Sequence, residues 1–155
     1  MKMMNFRIFL FAALICTALT SCFEDDDEVY KYDGPAVVEF DQATLTTGSY
    51  TRSVESGDGT ISEQVNLVSP HLSSDQVINF SVDAANSTAV EGTHYSTTGQ
   101  FTIPANTSFG DATVEILNGA IPAGETRTLV LVLEGNDVVG VSENYKSITI
   151  SISPN

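Results

Sequence analysis

Tryptophan is absent from this chain of 155 residues, and only six basic side chains face 20 acids. Glycan binding relies on flat aromatic platforms that stack on sugar C–H faces, and the chain has no indole to supply one. The formal net charge of −14 repels nucleic acid and anionic headgroups, so no partner of either kind is expected at the folded surface. Histidine occurs twice, as His71 and His94. Two histidines far apart make a poor zinc set, which usually takes four ligands. Neither sits beside a nucleophile elbow or a glycine pattern that would mark acyl-transfer chemistry. The loop Gly57-Asp58-Gly59 carries an acid and no following lysine, so it is no phosphate cradle. Acids are too numerous for a glycosidase pair to be singled out. The expectation is a protein that is not an enzyme.

Long apolar runs are also missing. The longest, residues 8–19, falls short of the ~20 residues a spanning helix needs. It follows Lys2 and Arg7 and ends at small residues, which is the layout of a secretory signal. Cysteine occurs only as Cys16, inside that run, and Cys22, just behind it. An exported chain that loses its signal keeps one cysteine, so the mature domain is held by its core and not by a disulfide.

What is present at this junction is Leu19-Thr20-Ser21-Cys22, followed by Glu24, Asp25, Asp26, Asp27 and Glu28. The tetrapeptide resembles the bacterial lipobox. That resemblance implies cleavage before Cys22, acylation of Cys22 with palmitate-like chains, and anchoring to a lipid bilayer, since each buried CH2 contributes ~0.8 kcal/mol. The acid run resembles the export signal of surface-exposed lipoproteins of Bacteroidota, which implies an outer-membrane protein facing outward. Residues 1–21 then form the signal peptide. Residues 22–35 form a lipidated, acidic and disordered tether, because adjacent like charges repel and cannot pack. Residues 36–155 form the folded domain.

In that domain apolar residues recur with period two, and no convincing helix is expected. Strands are expected at 36–40, 61–68, 76–83, 100–103, 112–116, 128–133 and 146–153, with a further edge strand near 49–54. Val65, Leu67, Ile78, Phe80, Val82, Phe101, Ile148, Ile150 and Ile152 fall on inward positions. Thr128-Leu-Val-Leu-Val-Leu133 is apolar on both faces, which marks a central strand. Turn clusters such as Ser56-Gly-Asp-Gly59 separate the strands. Seven or eight short strands at this spacing predict an all-β, antiparallel, immunoglobulin-like sandwich.

Three stretches, Val77-Ile-Asn-Phe-Ser-Val-Asp83, Thr88-Ala-Val-Glu-Gly-Thr-His-Tyr95 and Gly99-Gln-Phe-Thr-Ile-Pro-Ala-Asn106, resemble Calx-beta modules. The resemblance implies calcium at one end of the sandwich, which needs six to eight oxygens. Glu55 matches one of the family's acids. His94 and Asn118-Gly119-Ala120 stand where two other acid clusters belong. Calcium is therefore the only cofactor raised, with Glu55, Asp58, Glu91 and Asp137 as weak candidates. His94 is expected to pack beside Tyr95 and bond a loop carbonyl. Candidate rings for a glycan are Tyr50, Tyr95, Phe109 and Tyr145; Tyr95 is expected to fill a sandwich corner more than a sugar site, and Tyr145 is the better exposed ring. The expected function is a membrane-anchored binding or accessory module for glycan or a partner protein. A structural spacer in a surface complex and a calcium-stabilised adhesion module are the alternatives.

Overall fold

The computed structural model describes residues 32–155. The expected signal peptide over residues 1–21, Cys22 and the acids from Glu24 to Glu28 lie outside the described residues. Ten strands and one short helix follow: β1 (Val37–Phe40), α1 (Asp41–Leu45), β2 (Thr51–Glu55), β3 (Gly59–Val68), β4 (Gln76–Val82), β5 (Tyr95–Ser96), β6 (Gln100–Ile103), β7 (Phe109–Ile116), β8 (Arg127–Gly135), β9 (Gly140–Val141) and β10 (Ser147–Ser153). They form two five-stranded sheets, β5-β7-β3-β1-β9 and β2-β10-β8-β4-β6. The chain is an all-β sandwich of two sheets.

Odd-numbered strands belong to one sheet and even-numbered strands to the other, so every connection changes sheet. Two poles can be assigned from the loops. The Ser56 N–H donates to the Ser153 C=O (2.9 Å), and the Ser56 hydroxyl donates to the Gly119 C=O (2.8 Å). The ends of β2, β7 and β10 therefore meet at one pole, the C-terminal one. At the other pole the Gly140 N–H donates to the Ala36 C=O (2.9 Å) and the Asn136 side-chain amide to the Val77 C=O (3.0 Å). There the starts of β1 and β4 meet the end of β8. With directions fixed, β1 and β2 run the same way, as do β5 and β6, and β9 and β10. Each of these pairs is one traverse of the sandwich that breaks midway and changes sheet, which is how sandwich corners are made. The ten strands thus make seven passes.

The core follows from alternation. Leu129, Leu131 and Leu133 of β8 and Ile148, Ile150 and Ile152 of β10 are buried, and Phe40, Phe80 and Phe101 join them. Each such side chain contributes roughly 1.5–3 kcal/mol on burial. The Ser and Thr residues between the β10 isoleucines face outward. Val130 and Val132 are half-buried on the outer face, as suits the middle of a sheet.

Several details differ from the sequence reading. A helix exists, but its five residues are too short to show a 3.6-residue period. The sandwich is not wholly antiparallel, because β1 pairs β9 and β2 pairs β10 in parallel. Both pairings arise where the first and last passes break and lie side by side at the sheet edges. Finally, Glu63 occupies an inward position of β3, with its side chain only 5% exposed. It forms an ion pair with Arg52 of β2 (2.8 Å), joining one sheet to the other.

Candidate functional site

The break between β5 and β6 opens a notch. β5 pairs with β7 through Tyr95 and Ser96, while β6 pairs with β4 through Gln100 to Ile103. Thr97, Thr98 and Gly99 carry the chain from one sheet to the other. Gly99 adopts φ 69°, a left-handed conformation that glycine takes without strain. Pairing of β4 with β6 ends at Asn79–Gln100, with one further bond from the Phe80 N–H to the Gly99 C=O (2.9 Å). Beyond it β6 has left the sheet. The Asp83 N–H donates to the Val130 C=O (2.9 Å), so Ser81 and Asp83 turn their backbone groups to β8. Alternation then turns the N–H and C=O of Val82 the other way, into the notch. The resulting cavity has a volume of about 440 Å³ and is lined by Phe80, Val82, Glu91, Tyr95, Thr98 and Gly99, among others.

One wall is the loop between β4 and β5. It starts with Asp83, whose carboxylate accepts from the Ala85 N–H (3.0 Å) and the Asn86 side-chain amide (2.7 Å). The Asn86 amide is the main reason this carboxyl sits below its ordinary range. Next, Ser87 and Thr88 fasten the loop to β8. Their hydroxyls accept from the N–H groups of Val130 (2.9 Å) and Thr128 (2.8 Å). A tight turn follows in which the N–H groups of Thr93 and His94 both donate to the Val90 C=O (3.1 and 2.8 Å). The imidazole Nδ1 of buried His94 accepts the Val90 N–H at 2.9 Å. The ring therefore carries its proton on Nε2. His94 bonds a backbone N–H and not the carbonyl expected for it. The turn sets Glu91 beside Tyr95 in an isolated bridge. Burial pushes the Tyr95 phenol above its ordinary pKa, and the Glu91 charge adds to the shift. The cavity thus presents an apolar floor, a phenol, a carboxylate and unpaired strand-edge groups. That set can grip a ligand through charge and hydrogen bonds.

Of the expected site residues, Glu91 and Tyr95 come together at the notch, and Glu55 and Asp58 share one turn. The rings expected as a glycan platform do not assemble. Tyr95 is in the core at 5% exposure, and Tyr50 and Tyr145 are partly buried against that core. Phe109 alone is exposed, at 56%, and stands on the outer face of β7. The Tyr50 phenol is also pushed up, by burial first and by the Glu63 charge second. The calcium candidates are likewise dispersed. Glu55 and Asp58 face each other across the β2–β3 turn, where the Glu55 N–H donates to the Asp58 carboxylate (2.8 Å). Asp137 lies in the β8–β9 turn at the opposite pole. Among the described residues no three acids, histidines or cysteines gather as metal ligands. His71 bonds Ser108 (2.9 Å) and is exposed. The notch itself was not foreseen. Residues 88–95 marked its wall, but no sequence pattern marks where β6 leaves β4.

No protein-family model matches the sequence, and no curated protein matches it. Solved structures do resemble the fold. The apo-form Calx CBD1 domain matches with TM-score 0.57 at 15% identity, over 79% of this chain and 99% of that one. The calcium binding domain CBD12 of CALX1.1 matches with TM-score 0.56 at 16% identity, over 76% of this chain and 44% of that one. A Bacteroides ovatus protein provisionally described as carbohydrate binding matches with TM-score 0.53 at 16% identity, over 76% of this chain and 36% of that one. The chain therefore spans less than half the length of the last two. These likenesses establish a Calx-beta-like sandwich and nothing finer.

Proposed function

We propose that this chain is a lipid-anchored, non-enzymatic binding module displayed at the outer face of an outer membrane. The observation that carries the binding half is the notch at the β5–β6 break, where Glu91, Tyr95 and the unpaired edge of β4 converge. The lipobox-like Leu19-Thr20-Ser21-Cys22 and the acid run behind it support the anchoring half. The calcium-stabilised reading loses support because Glu55 and Asp137 sit at opposite poles. The Bacteroides ovatus neighbour supports a second reading, in which the partner is a glycan. With no ring platform, a sugar would be held through the Glu91 carboxylate, whose oxygens accept from vicinal hydroxyls, and through backbone groups of the notch.

The test uses the cells that make the full chain. Metabolic labelling with an alkyne palmitate should tag the protein and fractionate it with membranes, and Cys22→Ser should abolish both. Added protease should degrade it on intact cells, and a screen against glycans and cell-surface proteins should return a ligand. Protection from protease would refute display on the outer face. An unlabelled, soluble wild-type chain would refute the anchor, and an empty screen would refute the binding role.

A further inference from the structure

We infer that the notch beside β4 receives an extended basic segment of a partner protein as an added strand. The inference rests on the reading of the chain as a binding module and specifies the partner. Backbone geometry comes first. Where β6 departs beyond Gly99, which still pairs with Phe80, the N–H and C=O of Val82 are left facing the space a neighbouring strand would fill. Such an edge is a template for main-chain hydrogen bonds from an extended peptide. Side-chain chemistry comes second. Added residues alternate, so one set of side chains meets Phe80, Val82 and Tyr95, and Glu91 stands at the rim of the same cavity. The Glu91 carboxylate takes part in none of the ion pairs among the described residues, so a lysine or arginine of the added strand would supply its counter-charge.

Charge also selects between occupants. A second copy of this chain would bring acids against acids, because the net charge is −14. Natural strand edges are commonly blunted by lysine. Here the one charged residue lining the cavity is Glu91, which repels acidic strands and admits basic ones. The acidic surface would also speed the approach of a basic segment, with a rate that falls as salt rises.

The test uses the full chain in detergent micelles and a fluorescein-labelled Lys-Val-Lys-Val-Lys-Val peptide, followed by anisotropy. The peptide should bind, and a version N-methylated at every residue should bind about tenfold more weakly, because it has no N–H on either side to pair with the edge. Glu91→Gln should weaken binding about tenfold. Val82→Pro removes the N–H that faces the notch along with a valine of its apolar lining and should weaken it similarly, with thermal melts confirming that both variants are folded. Asp111→Asn, on the outer face of β7, should change affinity by less than about twofold. Equal binding of the N-methylated peptide, or equal losses from Asp111→Asn and Glu91→Gln, would overturn the added strand in favour of diffuse attraction to an acidic surface. Binding of mannotriose without binding of the peptide would overturn it in favour of a glycan while leaving the binding role intact. Failure of peptide and mannotriose, with an empty partner screen, would overturn both.

Discussion

His94 is buried in the turn that walls the notch, and its role there is architectural. A carboxylate at that position could offer oxygens to a cation, whereas the buried imidazole offers one nitrogen to the Val90 N–H. The bond closes the turn that sets Glu91 beside Tyr95, so the histidine acts on the notch through its neighbours. Opposite it, Gly119 leaves no room for a side chain: a Cβ there would collide with the Thr93 C=O and press on the His94 ring. His94→Phe keeps most of the ring volume and removes the acceptor. That change should cost about 1–2 kcal/mol, the worth of one hydrogen bond plus the desolvation of a donor left without its partner. A melting midpoint lower by several degrees is the expected readout. An unchanged midpoint would mean that water replaces the imidazole at no cost. The sequence already showed Glu91 and Tyr95 within one short motif. It could not show that a histidine three residues after the glutamate joins them, because that depends on the turn geometry.

Strand β2 illustrates what alternation reveals and what it leaves hidden. Val54 faces the core as period two requires, and the strand pairs in parallel with β10 over Thr51 to Glu55. The same alternation carries Glu63 of β3 inward, where a carboxylate alone would be costly. Arg52 resolves the conflict with a short ion pair to Glu63 and a second bond to the Ser62 C=O (2.9 Å). Removing one partner of such a pair hurts more than removing both, because the survivor stays desolvated. Arg52→Met should therefore destabilise by on the order of 2 kcal/mol, discounted because Arg52 is 34% exposed. Arg52→Met with Glu63→Leu should recover most of that loss. Chemical denaturation of the three variants closes the cycle, and a double variant no more stable than the single one would refute the reading. The long strands were legible because each repeats its period several times. The two-residue strands β5 and β9 show no period at all, and α1 completes little more than one turn. The breaks that split three passes between sheets follow from packing against the opposite sheet, which leaves no local mark in Thr97-Thr98-Gly99 or in the residues of α1.

Taken whole, the molecule combines a neutral core with a strongly acidic exterior, and the two make opposite demands on stability. The core buries three isoleucines of β10 beside three leucines of β8, all facing the opposite sheet. The exterior repels itself, because the net charge is −14. Repulsion of this kind is relieved by screening, whose range shrinks from ≈ 10 Å at 0.1 M salt to 3 Å at 1 M. Salt should therefore raise the melting midpoint of the full chain in detergent. The identity of the cation should matter little, because Glu55 and Asp58 share one turn, Asp137 lies at the other pole, and Glu91 borders the notch. A specific calcium site would behave differently, since it adds RT ln(1 + [L]/Kd) for calcium alone. Magnesium keeps its waters and an octahedral shell, and would not substitute in a site of six to eight protein oxygens. Equal millimolar calcium and magnesium should then raise the midpoint by the same amount, and both rises should vanish against a background of 1 M sodium chloride. A calcium-specific rise that survives that background would show that acids far apart in the described residues do converge on an ion, and would restore the adhesion reading that their positions now oppose.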